Sequence, residues 1–378
     1  MPEIADPLGF SIESQRLARE LFGTRVRVSV LRIGVFGAAV GLFIALGGSH
    51  ALREATRPGA AWVATLEYFS TLYLALAALS APFSAYSHVL ERRYGLSRQG
   101  WAGWVRDLLK SVLLGYAFSL VAVEILYFLL REFPSEWWIL AWLLGIAVAF
   151  LGSIVAPVIL VRLFFRLDRL ADANLEERFR ALASRAGIPV LGVFVLRASE
   201  KTRRSNAALA GMGRTRRVIV TDTLLQDQTP DEVESILAHE LAHQKHRDPI
   251  VGLGGLAATS FVTLGILRSA LPEVVGPLNL EGISDLAGLP VIMLITAIIS
   301  SAIGPLEHAF SRWREDRADR FALELTGKRD AFASAMAKLH DANLSLARPP
   351  RLFEVLAMSH PAAWRRVARA RKGPGASP

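Results

Sequence analysis

The segment 236–249, ILAHELAHQKHRDP, contains two histidines four residues apart, His239 and His243, with Glu240 directly after the first. In a helix, positions i and i+4 lie on one face, so both imidazoles can bind the same Zn²⁺. Glu240 is rotated by about 100° and is placed to reach a water molecule beside the metal. This H-E-x-x-H pattern, expected by chance in roughly one chain in a hundred of this composition, is typical of zinc hydrolases. The alternative is an ordinary solvated helix.

A catalytic zinc is held by three protein ligands, and the chain has no cysteine, so the third ligand must be His, Asp or Glu. The segment 311–327, SRWREDRADRFALELTG, places Glu315 and Asp319 on one helix face. Glu315 can bind the metal, while Asp319 can accept a hydrogen bond from the far nitrogen of a ligand histidine. The alternative is a surface cluster of paired charges. We exclude His246 as a ligand because we expect it to be exposed at the end of its helix.

Local signals delimit the first of these helices. Thr229 is a favourable N-cap, Pro230 occupies the first helical position, and Glu232 completes a capping box. Asp248, followed by proline, is expected to end the helix. Upstream, ANLEERFRALASRAGI predicts an amphipathic helix closed by its glycine. The runs VFVL, NAALAG and RRVIVTDTLL predict strands, the last two joined through MGRTR as a hairpin.

Long apolar stretches dominate the rest of the chain, which has 378 residues, is 52% hydrophobic and has a mean hydropathy of +0.35. A helix needs about 20 mostly apolar residues to cross a bilayer. Six stretches qualify: 28–47, 62–86, 107–130, 137–165, 249–271 and 286–310. The sequence therefore predicts an α-helical polytopic membrane protein with about six spans, seven being the alternative, and an α+β zincin-like protease domain. The first span is expected to be retained, because no clear cleavage site follows it.

The spans divide the chain into four parts. Residues 1–166 form an N-terminal membrane domain with four spans, and 249–310 form two more. Residues 167–248 form the first half of the protease domain, with the predicted strands and the zinc helix. Residues 311–378 form its second half, with the third ligand and a tail, ARKGPGASP, that we expect to be disordered.

Basic residues set the expected orientation. The net charge is +9, but the arginines flank apolar runs, which favours a role in membrane orientation over nucleic-acid binding. The N-terminal segment, the loop after the second span and the long segment after the fourth are rich in arginine. All three lie on one side if the N-terminus is cytoplasmic. The protease domain and the active site then face the cytoplasm, and we expect no nucleic-acid partner.

The motifs resemble a known family. AHELAH followed by REDRADRFALELTG resembles the integral-membrane zinc metalloproteases that include the type I CaaX prenyl proteases and HtpX. The resemblance covers most of the chain. The segment 83–111, FSAYSHVLERRYGLSRQGWAGWVRDLLKS, is similar to the N-terminal membrane domain of the CaaX prenyl protease branch. SEKTRRSNAALAGMGRTRRVIVTDTLL resembles that branch's substrate strands, and SHPAAWRRV resembles its late His-Pro motif.

The resemblance implies a role for each matching residue. His239, His243 and Glu315 match the zinc ligands, and Glu240 matches the general base. Asn206 matches the asparagine beside the substrate strand, which would anchor a peptide there. His360 matches the late histidine near the zinc, where it would assist the developing oxyanion. Arg366 matches an arginine six residues further on and is expected to bind substrate.

The chain departs from the family pattern in places. Eukaryotic members of the branch have seven spans, Ala362 replaces a proline of the His-Pro motif, and QKHRDP is closer to HtpX. These differences question CaaX processing more than proteolysis. The resemblance therefore implies a zinc metalloendopeptidase that is CaaX-prenyl-protease-like, with an HtpX-like quality-control protease as the alternative. A non-catalytic scaffold that retains the zinc fold is the third alternative.

Two acidic residues lie within predicted spans, Glu67 and Glu124. A charge at membrane depth is costly, so each should face water or the bundle interior. They either line a water-filled chamber, which the resemblance implies, or lie near an interface. A transporter would use such residues too, but it leaves the zinc motif unexplained.

The expected partners are membrane lipid and polypeptides that are unfolded, membrane-associated or C-terminal segments. The cysteine-free composition indicates a protein of a prokaryotic inner membrane.

Overall fold

Five helices form the N-terminal part of the protein. The computed structural model describes residues 5–211 and 216–372. The helices are α1 (Ile12–Ala45), α2 (Gly48–Thr56), α3 (Ala61–Arg93), α4 (Trp101–Glu132) and α5 (Trp137–Phe164). All except the short α2 are long and apolar enough to cross a membrane. They correspond to the first four predicted spans.

A small α+β unit follows. Its elements are β1 (Leu167–Arg169), α6 (Ala173–Arg185), β2 (Val193–Leu196), β3 (Ala207–Ala210), β4 (Arg217–Thr221), α7 (Asp222–Asp227) and α8 (Pro230–Lys245). The sheet order is β1-β2-β4-β3. The β2–β4 pair is parallel, whereas β1–β2 and β3–β4 are antiparallel. Strand β3 therefore forms one edge of the sheet.

The C-terminal part contains α9 (Asp248–Val275), α10 (Leu289–Thr326), α11 (Arg329–Ala342), α12 (Arg351–Ala357) and α13 (Ala363–Lys372). Helix α9 and the span that α10 completes bring the candidate membrane helices to six in the described part of the chain. The predicted helical membrane protein with an α+β domain is thus confirmed. Unexpectedly, the sixth span and the segment of Glu315 and Asp319 form one uninterrupted helix of 38 residues.

Helix α8 lies at the centre of the protease domain, with ten of its sixteen residues buried. It packs on β3 and on α6, α10 and α11, in a core that includes Leu237, Leu241, Val220 and Phe332. Each such side chain contributes about 1.5–3 kcal/mol when it leaves water. The predicted capping box is present, because Thr229 and Glu232 bond to each other's backbone N–H groups. The zinc helix is therefore held both at its start and along its length.

The predicted strand RRVIVTDTLL is wrong in its second half. β4 ends at Thr221, whose side chain accepts a hydrogen bond from Leu224 N and starts α7. This N-cap competes successfully with strand propensity. The predicted hairpin loop MGRTR lies largely outside the described residues, as does most of the tail.

The junction between α8 and α9 is tighter than the sequence predicted. α8 ends at Lys245, three residues before Asp248, and Arg247 adopts a left-handed φ of 58°. This conformation costs roughly 1–2 kcal/mol for a residue with a side chain. It reverses the chain at once into α9, so that Asp248 becomes the first residue of the next helix. His246 is partly buried against Phe321 instead of exposed.

The first and last segments that the structure describes meet on the side of the protease domain. Arg371 donates a hydrogen bond to the carbonyl of Pro7 at 2.6 Å, and Ser11 N donates to Asp341. Six crossings between them require this arrangement. At the opposite end of the bundle, Arg53 of α2 binds the buried carboxylate of Asp285 at 2.5 Å. Glu67 is exposed on α3 and Glu124 is partly buried on α4, and their place in a chamber stays a prediction.

This arrangement predicts which positions share a side of the membrane. Single cysteines at Arg180, which is exposed, and at Ser359, which is partly exposed, should react with an impermeant thiol reagent only from the cytoplasm. A cysteine at Ala60, after α2, should react only from the other face. The cysteine-free chain serves as the blank. Labelling of Arg180→Cys or Ser359→Cys from the outer face would reverse the predicted orientation.

Candidate metal centre and active site

The candidate metal centre forms where α8 crosses α10. His239 and His243 lie one turn apart on α8, and Glu315 of α10 faces both. The two Nε2 atoms are 3.3 Å apart. Glu315 Oε2 is 3.2 Å from His239 Nε2, and its Oε1 is 3.4 Å from His243 Nε2. Three donor atoms therefore converge on one point.

The donor set fits zinc. Two ligand atoms at about 2.0–2.1 Å from a tetrahedral ion are separated by roughly 3.4 Å, close to the separations found here. The Nδ1–H group of each of the two histidines is hydrogen-bonded to an aspartate. Each Nε2 lone pair is therefore directed at the other candidate ligands. Two imidazole lone pairs at 3.3 Å repel each other unless a cation lies between them. One carboxylate and two neutral imidazoles are ligands that Zn²⁺ prefers.

His239 is held from behind by a carboxylate. Its Nδ1 donates to Asp319 Oδ1 at 2.9 Å, the contact proposed for Asp319 from spacing. Arg366 of α13 in turn donates to both Asp319 oxygens, at 2.8 and 2.6 Å. Burial alone would raise the pKa of Asp319, but the Arg366 guanidinium and His239 hold it well below its usual range. Asp319 is therefore a permanent anion that fixes the tautomer of His239.

His243 has an equivalent support that the sequence interpretation missed. Its Nδ1 donates to Asp248 Oδ2 at 2.7 Å. Arg317 of α10 donates to the other oxygen, Oδ1, at 2.5 Å. The tight α8–α9 junction places Asp248 there. Each ligand histidine thus has its own aspartate, and each aspartate has its own arginine. A carboxylate five residues after a ligand histidine and next to a proline was the available signal.

Glu240 lies beside the ligands and lines the adjoining cavity. Burial raises its pKa above the ordinary value, although the neighbouring histidines oppose the shift. A carboxylate with a raised pKa is a better proton acceptor near neutral pH. His360 also reaches the centre, with Nδ1 at 2.8 Å from Glu315 Oε2, while its side chain remains 59% exposed. These positions agree with the roles that the resemblance implied, and those roles stay predictions.

The cavity has a volume of about 500 Å³ and borders the metal centre. Polar groups from four separate regions line it, and they include Asn206, Glu240, His340, Asn343, His360 and Arg366. Two of these, His340 and Asn343, belong to α11 and its end, where no sequence pattern indicated them. Burial lowers the pKa of His340 to about 4, with a contribution from Arg366, so its ring is neutral at physiological pH. Arg366 lines the cavity too, but it binds Asp319 through two bonds.

Strand β3 presents its outer edge close to this cavity. Thr221 N of β4 donates to the Asn206 carbonyl at 3.0 Å, so the backbone groups of Ser205 and Ala207 point the other way. Asn343 occupies those of Ser205: its Oδ1 accepts from Ser205 N at 3.0 Å, and its Nδ2 donates to Ser205 O at 3.2 Å. Because the Asn206 side chain also accepts from Ala207 N, the edge open to a further strand begins at the Ala207 carbonyl and runs to Ala210.

Asn206 stands at the start of this open edge. Its side-chain oxygen accepts from Ala207 N at 2.9 Å. Among the residues that the structure describes, its amide nitrogen has no hydrogen-bond partner, and the side chain lines the cavity. It can therefore donate to a carbonyl of a peptide placed along β3.

Comparisons with known proteins agree with this geometry. The profile of peptidase family M48 matches residues 169–373, and a profile described as CAAX prenyl protease N-terminal, five membrane helices, matches 16–166. Within the second range the structure has four candidate spans and the short α2. The crystal structure of S. mikatae Ste24p has the same fold, with a TM-score of 0.86, 22% identity, and coverage of 97% of this chain and 91% of that one.

Individual relatives agree with the family matches. The chain is 29% identical over 312 residues to the metalloprotease YhfN of Bacillus subtilis, covering 82% of this chain and 73% of that protein. It is 29% identical over 304 residues to CAAX prenyl protease 1 of Saccharomyces cerevisiae, covering 74% and 66%. A homologue of the latter in Arabidopsis thaliana is 27% identical and covers 74% and 67%. The resemblance stated from the sequence is confirmed.

The ligand set predicts the metal content. The purified protein should hold about one zinc per chain, measured by elemental analysis after gel filtration, because the three donors fit one tetrahedral ion. Glu315→Ala should empty the site, whereas Asp316→Asn, its neighbour paired with Arg369, should retain it. Full zinc in Glu315→Ala would assign the third ligand elsewhere.

A second substitution tests the support of His243. Asp248→Asn keeps the side-chain size but removes the negative charge that orients the ring. We expect the affinity for zinc to fall about 10–100-fold, measured by competition with a chelator. Asp172→Asn, an exposed N-cap of α6, is the matched control and should leave the affinity unchanged. Equal affinities in the two variants would assign Asp248 a purely structural role.

Proposed function

The chain belongs to peptidase family M48 and is a membrane metalloprotease, and we propose that it is a zinc endopeptidase acting at the cytoplasmic membrane surface. His239, His243 and Glu315 would hold Zn²⁺. The convergence of their three donor atoms beside Glu240, on the wall of a peptide-sized cavity, is the observation that supports this proposal. All three proposed ligands and the proposed general base are present, which disfavours a non-catalytic scaffold.

Glu240 acts as the general base. When bound, Zn²⁺ would polarise the scissile carbonyl and increase the acidity of water. Glu240 accepts a proton from the attacking water and later delivers it to the leaving amine. Its raised pKa suits both transfers, because the group must accept the proton and then release it. Asp319 and Asp248 hold the two imidazoles in place during these transfers.

His360 assists at the oxygen of the scissile carbonyl. Its Nδ1 contacts Glu315, and the ring is largely exposed to the cavity. In the imidazolium form both ring nitrogens are donors, so Nδ1–H can donate to Glu315 while Nε2–H donates to the oxygen on which negative charge develops. This places a donor where charge appears in the transition state, which is the arrangement that lowers the barrier.

The substrate binds as an added strand. A peptide can pair with the open edge of β3 from Ala207 onward, with Asn206 donating to one of its carbonyls. Main-chain pairing does not depend on side-chain identity, so the site should accept many sequences. Pairing requires an extended chain, which selects unfolded, membrane-associated or C-terminal segments over compact domains.

Two roles in the cell fit such a site. Relatives named CAAX prenyl protease, together with the matching N-terminal profile, favour cleavage near the C-terminus of a lipidated protein. Loose pairing along β3 favours cleavage of damaged membrane proteins in a prokaryotic inner membrane. Both use the same residues. We propose the second as the broader role, and C-terminal processing as the alternative.

The proposed base can be tested directly. Glu240→Gln preserves shape but cannot accept a proton, so peptide hydrolysis should fall by ~10² or more while zinc stays bound. Glu324→Gln, an exposed position further along α10, is the control and should cleave normally. The measurement is the initial rate with a fluorogenic peptide, with zinc content determined on the same samples. Normal turnover in Glu240→Gln would remove this residue from the mechanism.

The edge-strand model predicts loose selectivity. A panel of unrelated unfolded peptides should be cleaved, while a tightly folded protein of similar length should resist. Asn206→Ala should weaken peptide cleavage several-fold without loss of zinc, because it removes one anchor and no ligand. Rapid single-site cleavage of the folded protein, with the peptides untouched, would indicate a dedicated recognition pocket in place of strand addition.

A further inference from the structure

The short helix α12 carries its apolar side chains on the outside. Leu352, Val355 and Leu356 are 71%, 44% and 47% exposed. Their spacing, i, i+3 and i+4, puts them on one face. Three large apolar residues on a single exposed face are not expected where a helix meets water.

The inner face of α12 carries the carboxylate of Glu354. Glu354 is only 4% exposed. It accepts a hydrogen bond from Ala362 N at 3.0 Å and lies 3.3 Å from Arg365. Phe353 packs edge-on against Phe22 of α1, with ring centroids 4.8 Å apart. The distribution is therefore reversed relative to a helix on a soluble surface, where apolar groups face inward and carboxylates face outward.

Helix α10 sets the depth of α12 relative to the membrane. Arg312 of α10 donates to three carbonyl oxygens at the C-terminal end of α12, at distances of 2.7 to 3.2 Å. Its neighbours Phe310 and Trp313 are 45% and 50% exposed. Aromatic and arginine side chains at the end of a span are typical of the membrane–water interface. Arg312 thus fixes α12 beside the end of the sixth span, close in sequence to these aromatic side chains.

We propose that α12 is an interfacial helix whose apolar face lies in the lipid bilayer. Arg351, its exposed first residue, is placed to contact anionic phospholipid headgroups, which attract such charges. The ligand of this surface is therefore the bilayer itself. The short helix is tied to the membrane by both apolar burial and charge.

This placement gives the catalytic cavity a defined position. Phe353 of α12 and Met358, just after it, line the cavity together with Phe22 and Arg25 of α1. If α12 lies in the interface, this wall of the cavity stands at the level of the headgroups. The consequence rests on the proposed protease function: substrate segments lying on the membrane reach the cavity without leaving it.

The absence of native cysteine allows a direct test of depth. Leu352→Cys and Leu356→Cys would each be labelled with an environment-sensitive fluorophore in proteoliposomes containing anionic lipid. Leu306→Cys, 72% exposed within the span of α10, is the control for lipid contact. Leu191→Cys, 44% exposed in the protease domain, is the control for water. No protease activity is required, so the result is independent of the proposed function.

We expect quenching of the probes at 352 and 356 by lipids that carry a nitroxide near the headgroup, at least half as strong as at 306, and little quenching by aqueous iodide. A probe at 352 that iodide quenches as at 191 would overturn the proposal. So would shielding from both quenchers, which would indicate that protein, such as a second copy of the chain, covers α12.

A cleavage assay tests whether α12 helps membrane-bound substrate to reach the cavity. Leu352→Glu combined with Leu356→Glu should lower cleavage of a vesicle-anchored peptide about tenfold, while cleavage of the same peptide in soluble form is unchanged. Leu191→Glu is the matched control and should affect neither. Equal loss with both peptides, despite normal zinc content, would contradict a role of α12 at the membrane.

Discussion

Two helices, α8 and α10, must cross at one point for this protein to bind a metal, and a buried layer of charge holds them there. Asp319 and Glu315 come from α10, the histidines from α8, and Arg366 from α13 closes the layer. Removing one partner from a buried charged group costs about 3–5 kcal/mol. The packing of the protease domain therefore serves to keep oppositely charged groups together out of water.

The two arginine–aspartate–histidine chains differ in where they are anchored. Arg366 and Asp319 join α10 to α13, inside the protease domain. Arg317 and Asp248 join α10 to the start of the membrane helix α9. One ligand is thus supported by the polar domain and the other by the membrane bundle. A movement of the membrane bundle relative to the protease domain would disturb His243 before His239, because Asp248, which supports His243, belongs to α9.

The length of α10 extends the same constraint into the membrane. Its 38 residues span about 57 Å at 1.5 Å per residue, more than a bilayer core requires. The surplus carries Glu315 and Asp319 beyond the span. Because one helix contains both the sixth span and the proposed metal ligand Glu315, its length would fix the distance between the membrane and the proposed cleavage site. The interfacial helix α12, attached through Arg312, stands at the same level.

Much of the site was predictable from spacing alone. The i, i+4 pairs place His239 with His243, and Glu315 with Asp319, wherever the helices lie, because helix geometry is local. Apolar length likewise determined the six spans. Tertiary structure decided what spacing cannot express: the crossing of α8 and α10, the supply of Asp248 by a left-handed Arg247, and the arrival of Asn343 and His340 from α11. Some of these contacts join residues far apart in the chain, and one depends on a single unusual backbone angle. They form only when the whole domain has packed.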